Sequence, residues 1–229
     1  MPSHCRFSFV VVLSVLGAVL CPPLGTLAHA QGVGGGVTFG LGRTEINAAG
    51  DESQNALFEA QNVQLKHKRA LAGGGFLTLP LSKNLWIQPE VMLDLKGTQW
   101  KSGSQTARLR LTYVDVPVFL RYAGPEDDRV KVHVFAGVYT GVLVKATFDS
   151  GAASSTRTDV ADRFRSMDFG WATGVGLGLG RVRLDLRYGG SLINIVNARG
   201  INDLLGQPVT SPPITYRNRG FALLTSYRF

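Results

Sequence analysis

From about residue 33 onward the chain alternates apolar and polar positions, the period-two signature of strands with different surroundings on their two faces. Residues 84–98 set Leu85, Ile87, Pro89, Val91, Leu93 and Leu95 against Gln88, Glu90, Asp94 and Lys96. Residues 130–147 set Val130, Val132, Val134, Ala136, Val138, Val142 and Val144 against Lys131, His133, Tyr139 and Lys145. Val182, Leu184, Leu186 and Tyr188 alternate with Arg181, Arg183, Asp185 and Arg187, and Val114, Val116, Val118 and Leu120 share a face opposite Asp115 and Arg121. The last stretch alternates Phe221, Leu223, Thr225, Tyr227 and Phe229 with Ala222, Leu224, Ser226 and Arg228. The pattern predicts eight strands, at 33–44, 70–80, 84–98, 108–122, 130–147, 166–179, 181–193 and 218–229.

The connections alternate in length: 45–69 long, 81–83 short, 99–107 intermediate, 123–129 short, 148–165 long, Gly180 tight and 194–217 long. Long loops on one rim and tight turns on the other are the habit of outer-membrane barrels. The fold expected is therefore all-β, an eight-stranded antiparallel up-and-down transmembrane β-barrel with both termini at the tight-turn, periplasmic end. Alternation alone also suits a soluble barrel, which hides its apolar face inside. The valine stripe of 130–147 is long for a soluble strand and comfortable for a tilted span with an extension beyond the bilayer. Pro89 and Pro117 are expected at bulges, and the phase change from Leu109 and Leu111 to Val114 suggests one in 108–122.

The N-terminal segment reads as a processing signal: Arg6, an apolar run from Phe7 to Leu20, and Ala28-His29-Ala30 before Gln31. Domains are then a signal peptide at 1–30 and one barrel at 31–229. Cys5 and Cys21 both fall in the signal, so the barrel needs no disulfide. Losing Arg6 takes the net charge from +8 to +7. No basic run with interleaved aromatics marks a nucleic-acid site. The basic excess points instead to lipid phosphate, with Lys66, Lys68, Arg69, Arg163, Arg165, Arg217 and Arg219 as candidate lipopolysaccharide contacts.

An eight-stranded barrel has an interior just wide enough for side chains. Gly170, Ala172, Gly174, Gly176 and Gly178 point inward, and a tight turn at Gly180 places Gly178, Gly176 and Gly174 opposite Arg183, Asp185 and Arg187. The glycines make room for the arginines, with Phe135 and Tyr139 filling the other side. Buried charges must be paired. A lumen network of Glu90, Asp94, Asp115, Arg121, Arg183, Asp185, Arg187 and Arg228 is therefore expected.

Catalytic patterns are weak. His67 and His133 are the only histidines after residue 30, and no serine or acid spacing marks a partner. No metal spacing occurs. Gly176-Leu177-Gly178-Leu179-Gly180 has no helix after it and is not read as a phosphate loop. The expectation is a monomeric, non-enzymatic protein without cofactor or metal, acting structurally or through its outer loops. The alternatives are a narrow porin-like channel or ligand-binding barrel, and an accessory factor in protein secretion.

Several motifs in order carry a family resemblance: Gly34-Gly35-Gly36-Val37-Thr38-Phe39-Gly40, Leu85-Trp86-Ile87-Gln88-Pro89-Glu90, Tyr113-Val114-Asp115-Val116-Pro117-Val118, Leu184-Asp185-Leu186-Arg187-Tyr188-Gly189 and Tyr227-Arg228-Phe229. Together they resemble the PorT-like or "porin family" small outer-membrane β-barrel proteins. The resemblance implies an eight-stranded barrel in the bacterial outer membrane. It also implies assembly by the outer-membrane insertion machinery, with Tyr227 and Phe229 as the assembly signal. It implies no catalytic site. One member assists secretion, and fold alone does not transfer that role.

Overall fold

A computed structural model describes residues 32–49, 64–102, 105–124, 130–149, 157–196 and 215–229. The expected signal peptide at 1–30 lies outside them. The strands are β1 (Gly34–Ala49), β2 (Gln64–Pro80), β3 (Leu85–Ser102), β4 (Gln105–Ala123), β5 (Lys131–Asp149), β6 (Arg157–Asp159), β7 (Met167–Leu179), β8 (Val182–Ser191) and β9 (Thr215–Arg228). Neighbours pair antiparallel in the order β4-β3-β2-β1-β9-β8-β7-β5, and β4–β5 pairing closes the ring. The chain is thus a closed eight-stranded antiparallel barrel, with the three-residue β6 added to the outer end of β5.

Closure follows from β1 pairing β9 along its length, from Gly36↔Arg228 to Ala49↔Thr215. No ladder edge is left open along that seam, as a hydrocarbon surround requires. Gly180 turns β7 into β8 at φ +58°, in the left-handed region that favours glycine. That turn fixes the register Gly178↔Arg183, Gly176↔Asp185 and Gly174↔Arg187.

The two faces have opposite chemistry. Leu41 is 68% exposed on the outside, whereas Arg121 inside is 0% exposed. Phe39, Leu71, Leu93, Val118, Val138, Val175, Leu186 and Leu223 continue the outward apolar band around the wall. Glu90, Asp115, His133, Asp168 and Asp185 are buried on the inward face. Water would reverse this arrangement, whereas lipid favours it.

Several strands run further than the sequence pattern indicates. β1 continues to Ala49, β2 starts at Gln64, and β3 and β4 pair out to Ser102↔Gln105, so 99–102 and 105–107 are strand rather than loop. In this outer extension the interior becomes apolar. Ile46, Leu109, Leu111, Tyr113, Ala146, Val160, Phe164, Ile195 and Val196 form one core across the barrel, completed by a single-turn 3-10 helix (Ala161–Arg163) and a Phe164↔Val196 bridge. Beyond the bilayer the outer wall meets water, so packing follows the soluble rule again.

Two expectations about irregularities are corrected. β4 keeps one parity: Leu109, Leu111, Tyr113, Asp115, Phe119 and Arg121 are all inward. The bulge lies in β5, where Thr112↔Lys145 is followed by Tyr113↔Leu143 and Val144 is the extra residue. It flips the phase of β5, so that Ala146 joins the core that Leu109 and Leu111 form. Pro89 and Pro117 are not at bulges. The β3–β4 ladder lapses between Pro89↔Val118 and Met92↔Asp115 and resumes in the same register. A second register shift lies between His67 and Leu71 of β2.

Leu186 pairs with Val175 and Leu223 inside the apolar band. Leu186→Arg should cost about 2–4 kcal/mol if its position is near mid-bilayer. Equilibrium unfolding from lipid vesicles checks this, and an unchanged midpoint would contradict the register.

Candidate lumen charge site

The inward positions of β3, β4, β5 and β8 converge on one cluster in the half of the barrel nearer the turns. Arg121 is its centre. Its Nη2 donates to Asp185 Oδ2 at 2.7 Å and lies 3.7 Å from Glu90 Oε1. Arg187 Nη2 reaches both oxygens of Glu90, at 2.8 and 3.0 Å. Gln88 Nε2 donates to Glu90 Oε1 at 2.7 Å and accepts from Arg183 Nη1 on Oε1 at 2.9 Å. Gln88 thus links Arg183 to the cluster although it carries no charge.

His133, which the sequence pattern places in the lumen as a packed or hydrogen-bonded residue but not in the charge network, completes the cluster. Its Nε2 lies 2.7 Å from Asp185 Oδ1 and 3.0 Å from Arg121 Nη1. Guanidinium only donates and carboxylate only accepts, so the ring nitrogen serves one at a time. Protonated it donates to Asp185, and bare it accepts from Arg121. The signal available in the sequence was parity, since His133 shares the inward face with Phe135 and Tyr139.

Aromatic faces carry the guanidinium groups. Arg121 Cζ lies 4.2 Å from the Phe135 ring centre, Arg187 Cζ 4.5 Å from Phe119, and Arg183 Cζ 4.6 Å from Phe76. Phe119 and Phe135 meet edge to face at 5.2 Å. Desolvated cation–π contacts contribute about 2 kcal/mol each, which offsets part of the cost of burying arginine. The glycine row of β7 makes this possible. A Cβ at Gly176 would run into Asp185 Oδ1 and His133 Nε2, and one at Gly174 would run into the Phe135 ring.

A second polar group lies further out. Lys96 Nζ pairs with Asp115 Oδ2 at 2.5 Å and stands 4.9 and 4.7 Å from the Tyr113 and Tyr139 ring centres. Asp168 Oδ2 accepts from Ser191 Oγ at 2.8 Å, Asn218 Nδ2 at 3.2 Å and the Tyr139 hydroxyl at 3.3 Å. Lys96, Asp168 and Asn218 were not among the expected members. Asp94 lines a cavity beside Lys96 and Asp115, and Arg228 is exposed at the turn rim.

The expected lipid-contact cations separate by position. Arg69, Arg165 and Arg219 are exposed on the outside. Arg163 sits half-buried in the 3-10 turn, and Arg217 is half-buried on β9 opposite Asn47. Lys68 turns into the wall, where its Nζ donates to the carbonyls of Lys96 and Leu109. The side chain of Lys66 lies outside the description. Parity adds three others: Arg43 beyond Leu41, Arg110 beyond Val114 and Thr112, and Lys145 at the bulge of β5. With Arg69, Arg165 and Arg219 they form a belt at the outer limit of the apolar band. Tyr227 and Phe229, the expected assembly signal, meet edge to face at 6.0 Å on the outside of the turn rim.

A closed barrel with lipid-compatible walls and an ion-paired interior defines the class of integral outer-membrane β-barrels. The chain belongs to the outer membrane protein beta-barrel domain family, whose model matches residues 29–197. The protein is accordingly a protein of the bacterial outer membrane. No curated protein matches it. Among solved structures it is similar to Neisserial surface protein A, at 14% identity over 87% of this chain and 100% of that one, with a TM-score of 0.45. It is also similar to Ail, the attachment invasion locus protein of Yersinia pestis, solved with the heparin analogue sucrose octasulfate. That match has 12% identity over 86% of this chain and 99% of that one, TM-score 0.43. OprG from Pseudomonas aeruginosa gives 11% identity over 86% and 94%, TM-score 0.44.

Removing one partner from a buried ion cluster leaves the others uncompensated. Arg121→Leu should therefore destabilise the barrel by about 3–5 kcal/mol. Denaturant unfolding in detergent measures it, and a loss within experimental error of zero would show that Arg121 is not the hub of the cluster.

Proposed function

We propose that the protein is a non-enzymatic, closed outer-membrane barrel that grips the phosphate-rich leaflet with its basic belt and acts through its outer loops. The observation that carries the closed lumen is the Arg121 cluster. It ties Glu90 on β3, Arg121 on β4, His133 on β5 and Asp185 and Arg187 on β8 into one body across the interior. The apolar core of the outer extension stands above it. A solute would have to part both layers.

The belt supports the partner. Arg43, Arg69, Arg110, Lys145, Arg165 and Arg219 come from β1, β2, β4, β5, the approach to β7, and β9, each where its strand leaves the apolar band. Lipopolysaccharide phosphates suit guanidinium groups at that height, because charge-assisted contacts to phosphate are among the stronger hydrogen bonds. The Tyr227 and Phe229 pair suits recognition by the insertion machinery, and the protein acts as a monomer.

A second reading, a narrow channel or ligand-binding barrel, has one observation in its favour: the lumen holds a cavity beside Lys96 and Asp115. Planar-bilayer recording separates the two readings. The closed barrel predicts no steps of open-pore size, and sustained pore-sized conductance would reject it. Replacing Arg43, Arg69, Arg110 and Arg219 together by Gln should weaken lipopolysaccharide binding. Wild-type binding should fall with added salt. Retention that is indifferent to both would remove the belt from the account.

A further inference from the structure

We propose that the basic belt holds one specific seat for the phosphate of an acylated glycolipid, formed by Arg43, Arg69 and Arg110. This rests on the reading of the belt as a phosphate contact and narrows it to one place. Arg43 on β1 and Arg69 on β2 are direct cross-strand partners, both exposed on the outer surface. Across β3, Arg110 of β4 pairs with Gly97, which has no side chain to fill the space between Arg69 and Arg110. Arg110 thus stands about 10 Å from Arg69, two strand spacings, a gap that one phosphate and two arginine side chains can bridge. Gly97 is held to glycine: its φ is +143°, and a Cβ there would run into the Leu109 carbonyl and Lys68 Nζ. β2 carries an extra residue at this point, with 68–70 set against Lys96 and Gly97, and bulges of this kind re-aim side chains.

The charges in this row are not balanced. Beyond Arg43 the row continues with Phe221 on β9, and beyond Arg110 with Thr147 on β5, neither of them acidic. The described ion pairs all lie in the lumen, so none of them engages the three arginines. Behind the wall the Lys68 ammonium donates to the carbonyls of Lys96 and Leu109. The charges of Arg110 and Arg108 act on it, so it adds to the positive surplus. Two other cations of the outer end have an acid opposite them, Glu45 for Arg219 and Asp149 for Arg108. Like charges set directly opposite on neighbouring strands destabilise a sheet, and a bound anion removes that cost for Arg43 and Arg69.

The surface below the row sets the kind of anion. Leu41, Leu71 and Leu95 lie side by side one step nearer mid-membrane, and they are 68%, 51% and 36% exposed. A phosphate held by the arginines therefore sits directly above lipid-facing leucines, the arrangement of a headgroup over its own acyl chains. A free phosphate gains nothing from the leucines. Guanidinium groups match phosphate oxygens two at a time. A phosphomonoester, with close to two charges at neutral pH, answers two facing arginines better than a singly charged phosphodiester. The acylated, phosphorylated sugar head of lipopolysaccharide has both parts.

The test uses the full barrel folded in detergent micelles, titrated with lipid A, with dephosphorylated lipid A and with inorganic phosphate, and read by native mass spectrometry. Wild type should retain one lipid A per barrel, hold the dephosphorylated form weakly, and lose no lipid A to equimolar phosphate. Arg43→Gln, Arg69→Gln and Arg110→Gln should each weaken binding about tenfold, the loss of one charge-assisted contact. The Arg43→Gln/Arg69→Gln double variant should lose less than the product of the single losses, because both arginines hold one phosphate. Arg219→Gln and Lys145→Gln should each cost about twofold, the size of an exposed charge effect. Folding of each variant is checked by heat-modifiable gel migration. Equal losses at all five positions overturn the seat and leave a diffuse belt. No loss at any of them overturns the seat and the belt together. Tight binding of dephosphorylated lipid A, or displacement by equimolar phosphate, overturns the assignment to a phosphorylated lipid.

Discussion

Backbone hydrogen bonding in a solvent without water is the constraint from which the rest of this structure follows. An unpaired amide in hydrocarbon costs several kcal/mol, so the sheet must meet itself, and the β1–β9 ladder is where it does. Closure with eight strands then sets a narrow bore. A narrow bore turned away from lipid has to be filled, and the side chains available by parity are the charged ones.

Filling such a bore with ions works only if each ion is answered. Around Arg121 the answers come from Glu90 on β3, His133 on β5 and Asp185 on β8, and from the Phe119 and Phe135 rings. The glycines of β7, between β5 and β8, are the counterpart, since the space they leave is occupied by His133, Phe135 and Asp185 of those neighbours. Further out, where the strands pass the lipid, the interior reverts to Leu109, Leu111, Phe164 and Ile195. One barrel therefore has two interiors, polar at membrane depth and apolar beyond it. The β5 bulge at Val144 brings that strand into phase with the second.

The sequence revealed the strands well where lipid enforces a strict contrast between faces. The register Gly174↔Arg187 was legible because one glycine sets a tight turn. Strand ends were less legible, because the outer extension has water outside and apolar packing inside, and the contrast reverses. The same reversal put the expected bulge in the wrong strand: Leu109 and Leu111 seemed out of phase with the lipid-facing Val114 when they were inward residues of an apolar interior. Gln88, His133 and Asn218 escaped the candidate site because side chains without a fixed charge show their role only when a partner from another strand is beside them. Lys68 looked like a rim cation from its neighbours, yet it shares the inward parity of Ala70, Ala72 and Phe76, and its Nζ reaches the backbone carbonyls of Lys96 and Leu109.

The central claim is that side-chain chemistry is inverted about a closed wall. Both cysteines of the chain, Cys5 and Cys21, lie outside the described barrel, so single cysteines can be introduced cleanly once the N-terminal segment is omitted. The most direct measurement is a nitroxide scan along β8 in lipid vesicles, residues 182–188, scoring accessibility to oxygen dissolved in the lipid and to a polar relaxant in water. The account predicts oxygen access at 182, 184, 186 and 188 and little access to either probe at 183, 185 and 187. Water access at the even positions, or accessibility without a period of two, would contradict it.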